Sequence, residues 1–383
     1  MNIGYDAKRV FQNSSGLGNY SRTLISILSR YYPQHSYTLF AAKPTRLFDL
    51  SVLPSAKLVS PKNFIDKKFP ALWRRRLMVK DIASSGVNIF HGLSNELPAG
   101  IAGIPVKKLV TIHDIIYERF PDTYHFDERL VNRKKSKAAC RDADIVIAIS
   151  QQTKADLIEF YKIPEEKIRV CYQCCNPVFQ QLIDPAALLE SKKRYGLPDR
   201  FFLFNSSITK RKNLITICKA MLILKDRLEI PLVIIGNGKR EKEESIQFMQ
   251  KNGMANRLIF LNDLPGDKEG AFLSISDFPA IYQQATALIY PSVFEGFGLP
   301  VLEALWSGLP VISSNTSSLP EVGGGAAIYF SPMDEEALAS HMITVAENIG
   351  IADEMRLKGI AQARKFDPEI CAANIMKVYE ELL

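Results

Sequence analysis

Two glutamates, Glu295 and Glu303, bracket the stretch Gly296-Phe297-Gly298-Leu299-Pro300, which follows the apolar run Ala287–Tyr290. A strand, a glycine-containing loop and a helix running from Pro300 to a stop at Gly308 are expected there. The backbone N–H groups of Phe297, Gly298 and Leu299 would then lie at the positive end of a helix, where unsatisfied donors and the helix dipole hold a phosphate. Glycine lets the backbone approach such a group closely. Glu303, expected in the first turn, could accept hydrogen bonds from the sugar hydroxyls of a nucleotide, while Glu295, ahead of the loop, could face a group carried on the phosphates. The same residues also suit a plain strand, turn and helix whose carboxylates answer the helix dipole. Physics alone does not choose between the two.

Three other places carry candidate chemistry. His113, in Thr111-Ile112-His113-Asp114, follows an apolar run and should sit at the carboxyl end of a parallel sheet, where α/β proteins bind ligands; a lone histidine is also common as a structural residue. His91 ends the preceding run and is the weaker candidate. Gly16 and Gly18, in Ser15-Gly16-Leu17-Gly18-Asn19, lie between the first strand and a helix, so their backbone could approach phosphates or an acceptor. As a dinucleotide fingerprint the segment is poor, because Ser21 stands where a third glycine belongs. The turn Lys210-Arg211-Lys212 after Arg200–Phe204 reads, on its own, as a solvated basic turn.

These residues need two sheets to position them. Strand-like runs at the N-terminus, 88–90, 108–112, 143–149 and 168–171 alternate with helical stretches, and the pattern restarts with 200–204, 231–235, 257–261, 287–290 and 309–313. Such alternation implies parallel sheets with helical crossovers. With 383 residues the chain exceeds the usual span of one core. Domains of 1–178 and 179–366 are expected, hinged over Asn176 to Pro185, with a final helix 367–383 starting at Asp367-Pro368 and packing back on the first domain.

Composition narrows the classes. A charged fraction of 23% and a hydrophobic fraction of 47% belong to a globular protein rather than a disordered one. The net charge of +7 suits phosphates or anionic head groups without demanding nucleic acid. Six cysteines, clustered only at Cys171, Cys174 and Cys175, lack the second ligand pair of a zinc site, and reduced thiols in a cytoplasmic protein are expected. Asp142-Ala143-Asp144 spells a metal-binding triplet but directly precedes an apolar run and reads as a turn. Gly236-Asn237-Gly238 similarly imitates a Rossmann loop. No leader or spanning run is apparent. Basic stretches at Arg74-Arg75-Arg76 and Arg133-Lys134-Lys135 fit solvated helix faces or a patch drawn to an anionic membrane.

The order Glu295-Gly-Phe-Gly-Leu-Pro with Glu303 closely resembles the donor-binding signature of family 4 of the glycosyltransferases. The resemblance extends over nearly the whole chain, through Gly16 to Arg22, His113-Asp114, Arg211-Lys212 and Gly308-Leu-Pro-Val-Ile to Glu321. In detail Val110-Thr-Ile-His-Asp-Ile-Ile is similar to the mannosyltransferase B branch, which extends bacterial surface polysaccharides. The chain departs from the family at Ser206 and Thr209-Lys210, where glycine and often a Glu-Pro pair stand.

The resemblance implies a GT-B fold, two Rossmann-like doubly wound domains facing each other across a cleft, the first binding acceptor and the second binding nucleotide sugar. It implies retaining transfer of a hexose, mannose from GDP-mannose being favoured, to a polysaccharide or lipid-linked glycan. His113 and Glu295 would orient the sugar, Arg211 and Lys212 would meet the pyrophosphate, Glu303 would hold the ribose, and the Gly16–Gly18 loop would close over donor phosphates and acceptor. No metal or other cofactor is expected, and peripheral attachment to the inner membrane face is compatible with it. A UDP-sugar transferase and a sugar-nucleotide 2-epimerase share the pattern. An NAD-dependent oxidoreductase is disfavoured by the broken glycine fingerprint, and a non-catalytic nucleotide-sugar-binding subunit by the joint presence of five site residues.

Overall fold

A computed structural model describes residues 1–264 and 275–383. The chain divides into two compact units, one of residues 1–174 with 366–383 and one of residues 175–365. In the first, seven parallel strands, β1 (Asn2–Asp6), β2 (Ser36–Phe40), β3 (Ala56–Val59), β4 (Ile89–Gly92), β5 (Lys107–Ile112), β6 (Ile145–Ala148) and β7 (Ile168–Val170), stand in the order β3-β2-β1-β4-β5-β6-β7. The register sets Ile3 of β1 beside Tyr37 on one side and Ile89 on the other. All four residues of β6 are buried, because helices cover both faces of a parallel sheet and leave no solvent side for a polar residue. The chain works outward from β1 through β3 and resumes at β4 on the other flank, so a switch-point crevice opens at the carboxyl ends of β1 and β4.

The second unit repeats the scheme with six strands, β8 (Phe202–Asn205), β9 (Leu232–Ile235), β10 (Leu258–Phe260), β11 (Ala287–Tyr290), β12 (Val311–Ser314) and β13 (Ala327–Phe330), in the order β10-β9-β8-β11-β12-β13. Its switch point lies between β8 and β11. Two doubly wound parallel sheets are therefore present.

Three strands, β2, β3 and β13, were not among the expected runs. β3 and β13 close the edges of their sheets; Lys57 and Leu58 of β3 are exposed, and β13 is only partly covered until Phe330. The expected hinge is largely structured: Asn176 caps a turn over Pro177–Gln180, and Asp184 caps a helix over Pro185–Tyr195 by accepting from the Ala187 N–H at 2.9 Å. That helix ends at Gly196, whose φ of +59° is the left-handed conformation of a C-terminal cap.

The chain returns to the first unit in the helix Pro368–Glu381, capped by Asp367. Its Ile375, Met376 and Tyr379 enter the same buried cluster as Ile3, Tyr5 and Leu28. The Tyr379 hydroxyl meets Tyr5 at 3.2 Å and His91 Nδ1 at 2.7 Å, while His91 Nε2 meets Thr111 Oγ1 at 2.8 Å. His91 is thus enclosed in the core, and burial pushes its ring down to about 3. This is a structural histidine.

Candidate nucleotide-sugar site

In the second unit β8 leads through Ser206 to a turn at Lys210–Lys212, and β11 leads through Ser292 to Glu295, so the switch point brings both segments together. Asn213, at φ +59°, ends the basic turn, and its amide donates to the carbonyls of Pro291 at 3.2 Å and Pro332 at 2.6 Å. The Val293 N–H donates to the Arg211 carbonyl at 2.9 Å. These bonds fix the basic turn against the β11 loop. Arg211 also donates to the Phe294 carbonyl.

Glu295 is buried and receives Lys212 directly, with the Arg211 guanidinium at 3.3 Å and the Tyr290 hydroxyl donating at 3.1 Å. Lys212 is buried as well and reaches the Tyr290 hydroxyl at 2.9 Å. Burial would push the Glu295 carboxyl up, but Lys212 and Arg211 outweigh it and hold it down to about 2. Two fixed cations therefore share one fixed anion, leaving a positive balance. Sequence reasoning missed Tyr290, although a hydroxyl at the end of an apolar strand and before a proline was its signal. The loop departure at Ser206 to Lys210 has not moved Arg211 and Lys212 away from Glu295.

The helix begins at Leu299, one residue earlier than expected, with Gly298 as its cap at φ +110°. A Cβ on Gly298 would meet only the movable end of Leu319, at 2.7 Å, so it is the positive φ that calls for glycine. The N–H groups of Gly298 and Leu299 have no protein acceptor among the described residues. The loop is braced by Ser318, whose hydroxyl donates to the carbonyls of Glu295 at 3.0 Å and Phe297 at 2.8 Å. Gly308, at φ +65°, follows the helix end at Trp306.

Glu303 falls beyond the first turn, which holds no acidic residue, because the helix starts at Leu299 and reaches Glu303 only in its second turn. Its carboxylate accepts from Tyr282 Oη at 3.0 Å, and that hydroxyl accepts from the Asn205 amide at 2.6 Å. Burial of the carboxyl raises it to about 7, against the lowering effect of the Tyr282 bond. Tyr282 was not legible in the sequence; it comes from a separate helix, Phe278–Gln284.

Gly16, Gly18 and His113 belong to the first unit. His113 is buried, with Nε2 at 2.9 Å from the Leu93 carbonyl and Nδ1 at 3.0 Å from the Gln173 amide. The carbonyl can only accept, so Nε2 carries the proton and Nδ1 accepts from Gln173. Burial pushes the ring down to about 4. His113 is therefore a neutral, fixed imidazole. Gly16 and Gly18 do not form a loop: they are the first turn of the helix Gly16–Tyr31. The Gly18 N–H donates to Asn13 Oδ1 at 3.0 Å and to the Ser15 carbonyl at 2.9 Å, so this donor is satisfied within the protein.

The decoys resolve into local structure. Asp144 accepts from the Lys108 N–H at 2.7 Å, and Asp142 pairs with Arg141 at 2.7 Å. A Cβ on Gly236 would lie 1.8 Å from the Ser206 carbonyl oxygen, so this glycine serves close packing of the β8 and β9 loops. No group of three or more His, Cys, Asp or Glu among the described residues is placed to hold a metal ion.

O-antigen chain mannosyltransferase B of Escherichia coli is 28% identical over 298 residues, covering 77% of this chain and 74% of the relative. The serotype-specific mannosyltransferase WbdA of Escherichia coli is 29% identical over 291 residues, 73% of this chain but only 34% of WbdA. The crystal structure of Anabaena HepE in complex with UDP-glucose superposes with a TM-score of 0.74 at 17% identity, covering 100% of both chains, and so shares the fold. Residues 14–178 match the Glycosyltransferase Family 4 domain and residues 189–366 the Glycosyl transferases group 1 domain, and the chain belongs to this family of GT-B glycosyltransferases.

Proposed function

We propose that this glycosyltransferase moves a mannosyl group, with retention, from GDP-mannose to a growing surface polysaccharide or lipid-linked oligosaccharide. The observation that carries the reading is the buried cluster of Glu295 with Lys212 and Arg211, set beside the open N–H groups of Gly298 and Leu299. A nucleoside diphosphate leaving group gains charge as the glycosidic bond breaks. Pre-positioned cations and a helix N-terminus therefore stabilise the transition state more than the ground state. In this reading the cations do the work for which other enzymes recruit a metal ion, and none is required. Glu303, partnered by Tyr282, takes the ribose hydroxyls. His113 offers a neutral ring that orients without acting as a base, while the departing phosphate accepts the proton of the attacking hydroxyl.

The mannosyl donor and polysaccharide acceptor are supported by the names of the Escherichia coli relatives, and a nucleotide-sugar donor also by the UDP-glucose complex of HepE. Calorimetric titration with GDP, UDP and NAD tests the reading on the native protein and on Arg211→Ala and Glu303→Ala. GDP should bind and both substitutions should weaken it. UDP binding alone would transfer the reading to a UDP-sugar donor, and NAD binding alone would sink it. Incubation with GDP-mannose and a mannoside, followed by NMR of the product anomer, decides retention.

A further inference from the structure

The hydroxyl of Tyr282 is the middle link of a chain that ends on a site carboxylate. Tyr282 is fully buried, with its Oη 2.6 Å from the Asn205 amide and 3.0 Å from Glu303 Oε2. An amide nitrogen can only donate, so the hydroxyl accepts from Asn205 and its single proton is left for Glu303. The chain therefore runs in one direction. Glu303 Oε1 has no hydrogen-bond partner among the described residues.

The support of Tyr282 reaches back into the stretch expected as a hinge. Its ring meets Phe179, in the turn Pro177–Gln180, edge to face with centroids 5.4 Å apart. The next residue, Gln283, accepts from the Ile183 N–H at 3.1 Å and donates to the Gln181 carbonyl at 2.7 Å. Residues 177–183 thus hold the helix Phe278–Gln284, while Asn205 stands at the end of β8. Three separate elements fix the position of one proton.

The surroundings of Glu303 give that proton its effect. Among the described residues Tyr282 is the only titratable group that acts on the carboxyl, and no lysine or arginine does. Burial favours the neutral acid and the Tyr282 bond favours the anion. Tyr290 acts on Tyr282 but not on Glu303; burial and Glu303 hold Tyr282 well above the ordinary phenol value, so it stays a neutral donor. A carboxylate only accepts, and takes neighbouring hydroxyls from a ligand better than a carboxylic acid with a proton of its own to place.

We propose that Tyr282, oriented by Asn205, is a positioning residue for nucleotide binding. It keeps Glu303 an anion in a fixed pose, with Oε1 free for the vicinal hydroxyls of a ribose, so that a ribonucleotide is preferred to its 2′-deoxy analogue at neutral pH. This role rests on the reading of the second unit as the nucleotide-sugar site.

Calorimetric titration of the full chain with GDP and 2′-deoxy-GDP, or with the uridine pair where UDP alone binds, tests it between about pH 5.5 and about pH 9. The ratio of the two affinities is the readout, because titration of the phosphates is common to both ligands and cancels. In the wild type the ribonucleotide should be favoured about tenfold or more above pH 7, the preference fading as Glu303 takes up its proton below it. Tyr282→Phe keeps the ring on Phe179 and removes the donor. Its preference should appear at a pH higher by about 1, and at pH 7 should be about threefold weaker than in the wild type. Asn205→Leu frees the hydroxyl to turn away and should shift the profile the same way by less; it carries the test if the tyrosine variant does not fold. Glu303→Gln should abolish the pH dependence of the ratio. Loss of packing alone would lower both affinities equally at every pH. That result, a wild type indifferent to the 2′-hydroxyl, or a profile unmoved by Tyr282→Phe overturns the positioning role and leaves the donor site standing. Binding of neither GDP nor UDP by the wild type overturns the donor site and the positioning role with it.

Discussion

At the scale of residues, the site works by enclosing charges that water would otherwise stabilise. Lys212 and Glu295 are both buried, so removing Glu295 takes from Lys212 and Arg211 the carboxylate they share, at a cost on the order of 3–5 kcal/mol. Glu295→Gln should therefore lower the urea midpoint clearly, and the added substitution Lys212→Met should recover much of the loss. A second variant with no such recovery would mean that the pair is not mutually dependent. Glu303 and His113 carry opposite pH signatures. The Glu303 carboxyl is held above its unfolded value, at about 7, so the stability it contributes is present below the ordinary carboxylate range near 4.5 and is lost as pH rises through 7. The His113 ring is held below its unfolded value of 6.5, at about 4, so the unfolded chain binds the extra proton and stability falls on acidification across that window. Glu303→Gln keeps an acceptor for Tyr282 yet cannot ionise. Its urea midpoint should fall less than the wild type's between about pH 5 and pH 8, by up to a few kcal/mol of relative stability. Equal slopes would show that Glu303 titrates in its ordinary range.

At the scale of elements, Gly16 and Gly18 sit in one helical turn but meet different surroundings. A Cβ on Gly16 meets nothing within 4 Å, whereas one on Gly18 would fall 1.8 Å from the Asn13 carbonyl oxygen. Gly16→Ala should be neutral or stabilising by up to about 1 kcal/mol, the helix propensity gain. Gly18→Ala must push the Asn13 backbone away and should lower the melting temperature by several degrees; equal melting temperatures would show that the chain entering this helix yields freely. The contrast also marks what a sequence discloses. The Gly-x-Gly spacing announced a glycine requirement, but not its cause at Gly18, the Asn13 backbone packed against it, which no local pattern in the sequence discloses. β6 was legible because a strand covered on both faces must be apolar throughout. β3 and β13 were not, since an edge strand is excused from that demand. Glu295, Arg211 and Lys212 were legible as types, but their mutual neutralisation was not, because 83 residues separate Lys212 from Glu295 and only the switch point joins them. Glu303 was placed one turn too early because the helix start was assigned to Pro300 instead of Leu299.

At the scale of the whole molecule, the chain leaves the first unit at 174 and re-enters it at 366, so the last helix completes a core whose other parts were laid down first. That helix contributes Cys371, Ile375, Met376, Val378 and Tyr379 to the buried cluster. It also supplies the hydroxyl that partners His91 Nδ1 in a fully enclosed chain from Tyr5 to Thr111. Each large apolar side chain withdrawn exposes its own surface and that of its neighbours, at about 1.5–3 kcal/mol apiece, which exceeds the margin of an ordinary domain when summed over the helix. The second unit has a buried cluster of its own, built on Phe204, Ile217, Val345 and Met355 and, among the described residues, including none beyond 365. Removal of residues 367–383 should therefore act unequally. Calorimetry of the truncated chain should show the transition of the second unit retained and that of the first lost or lowered by tens of degrees. Nucleotide binding, which the proposed site assigns to the second unit, should survive the truncation, whereas transfer to acceptor should not. Tyr379→Phe supplies the gentler version: it keeps the ring and leaves His91 Nδ1 without its partner, at about 1–3 kcal/mol, again confined to the first transition. Loss of both transitions together on truncation would instead show that the two units unfold as one cooperative body, and the chain's second crossing at 366 would then be the link that couples them.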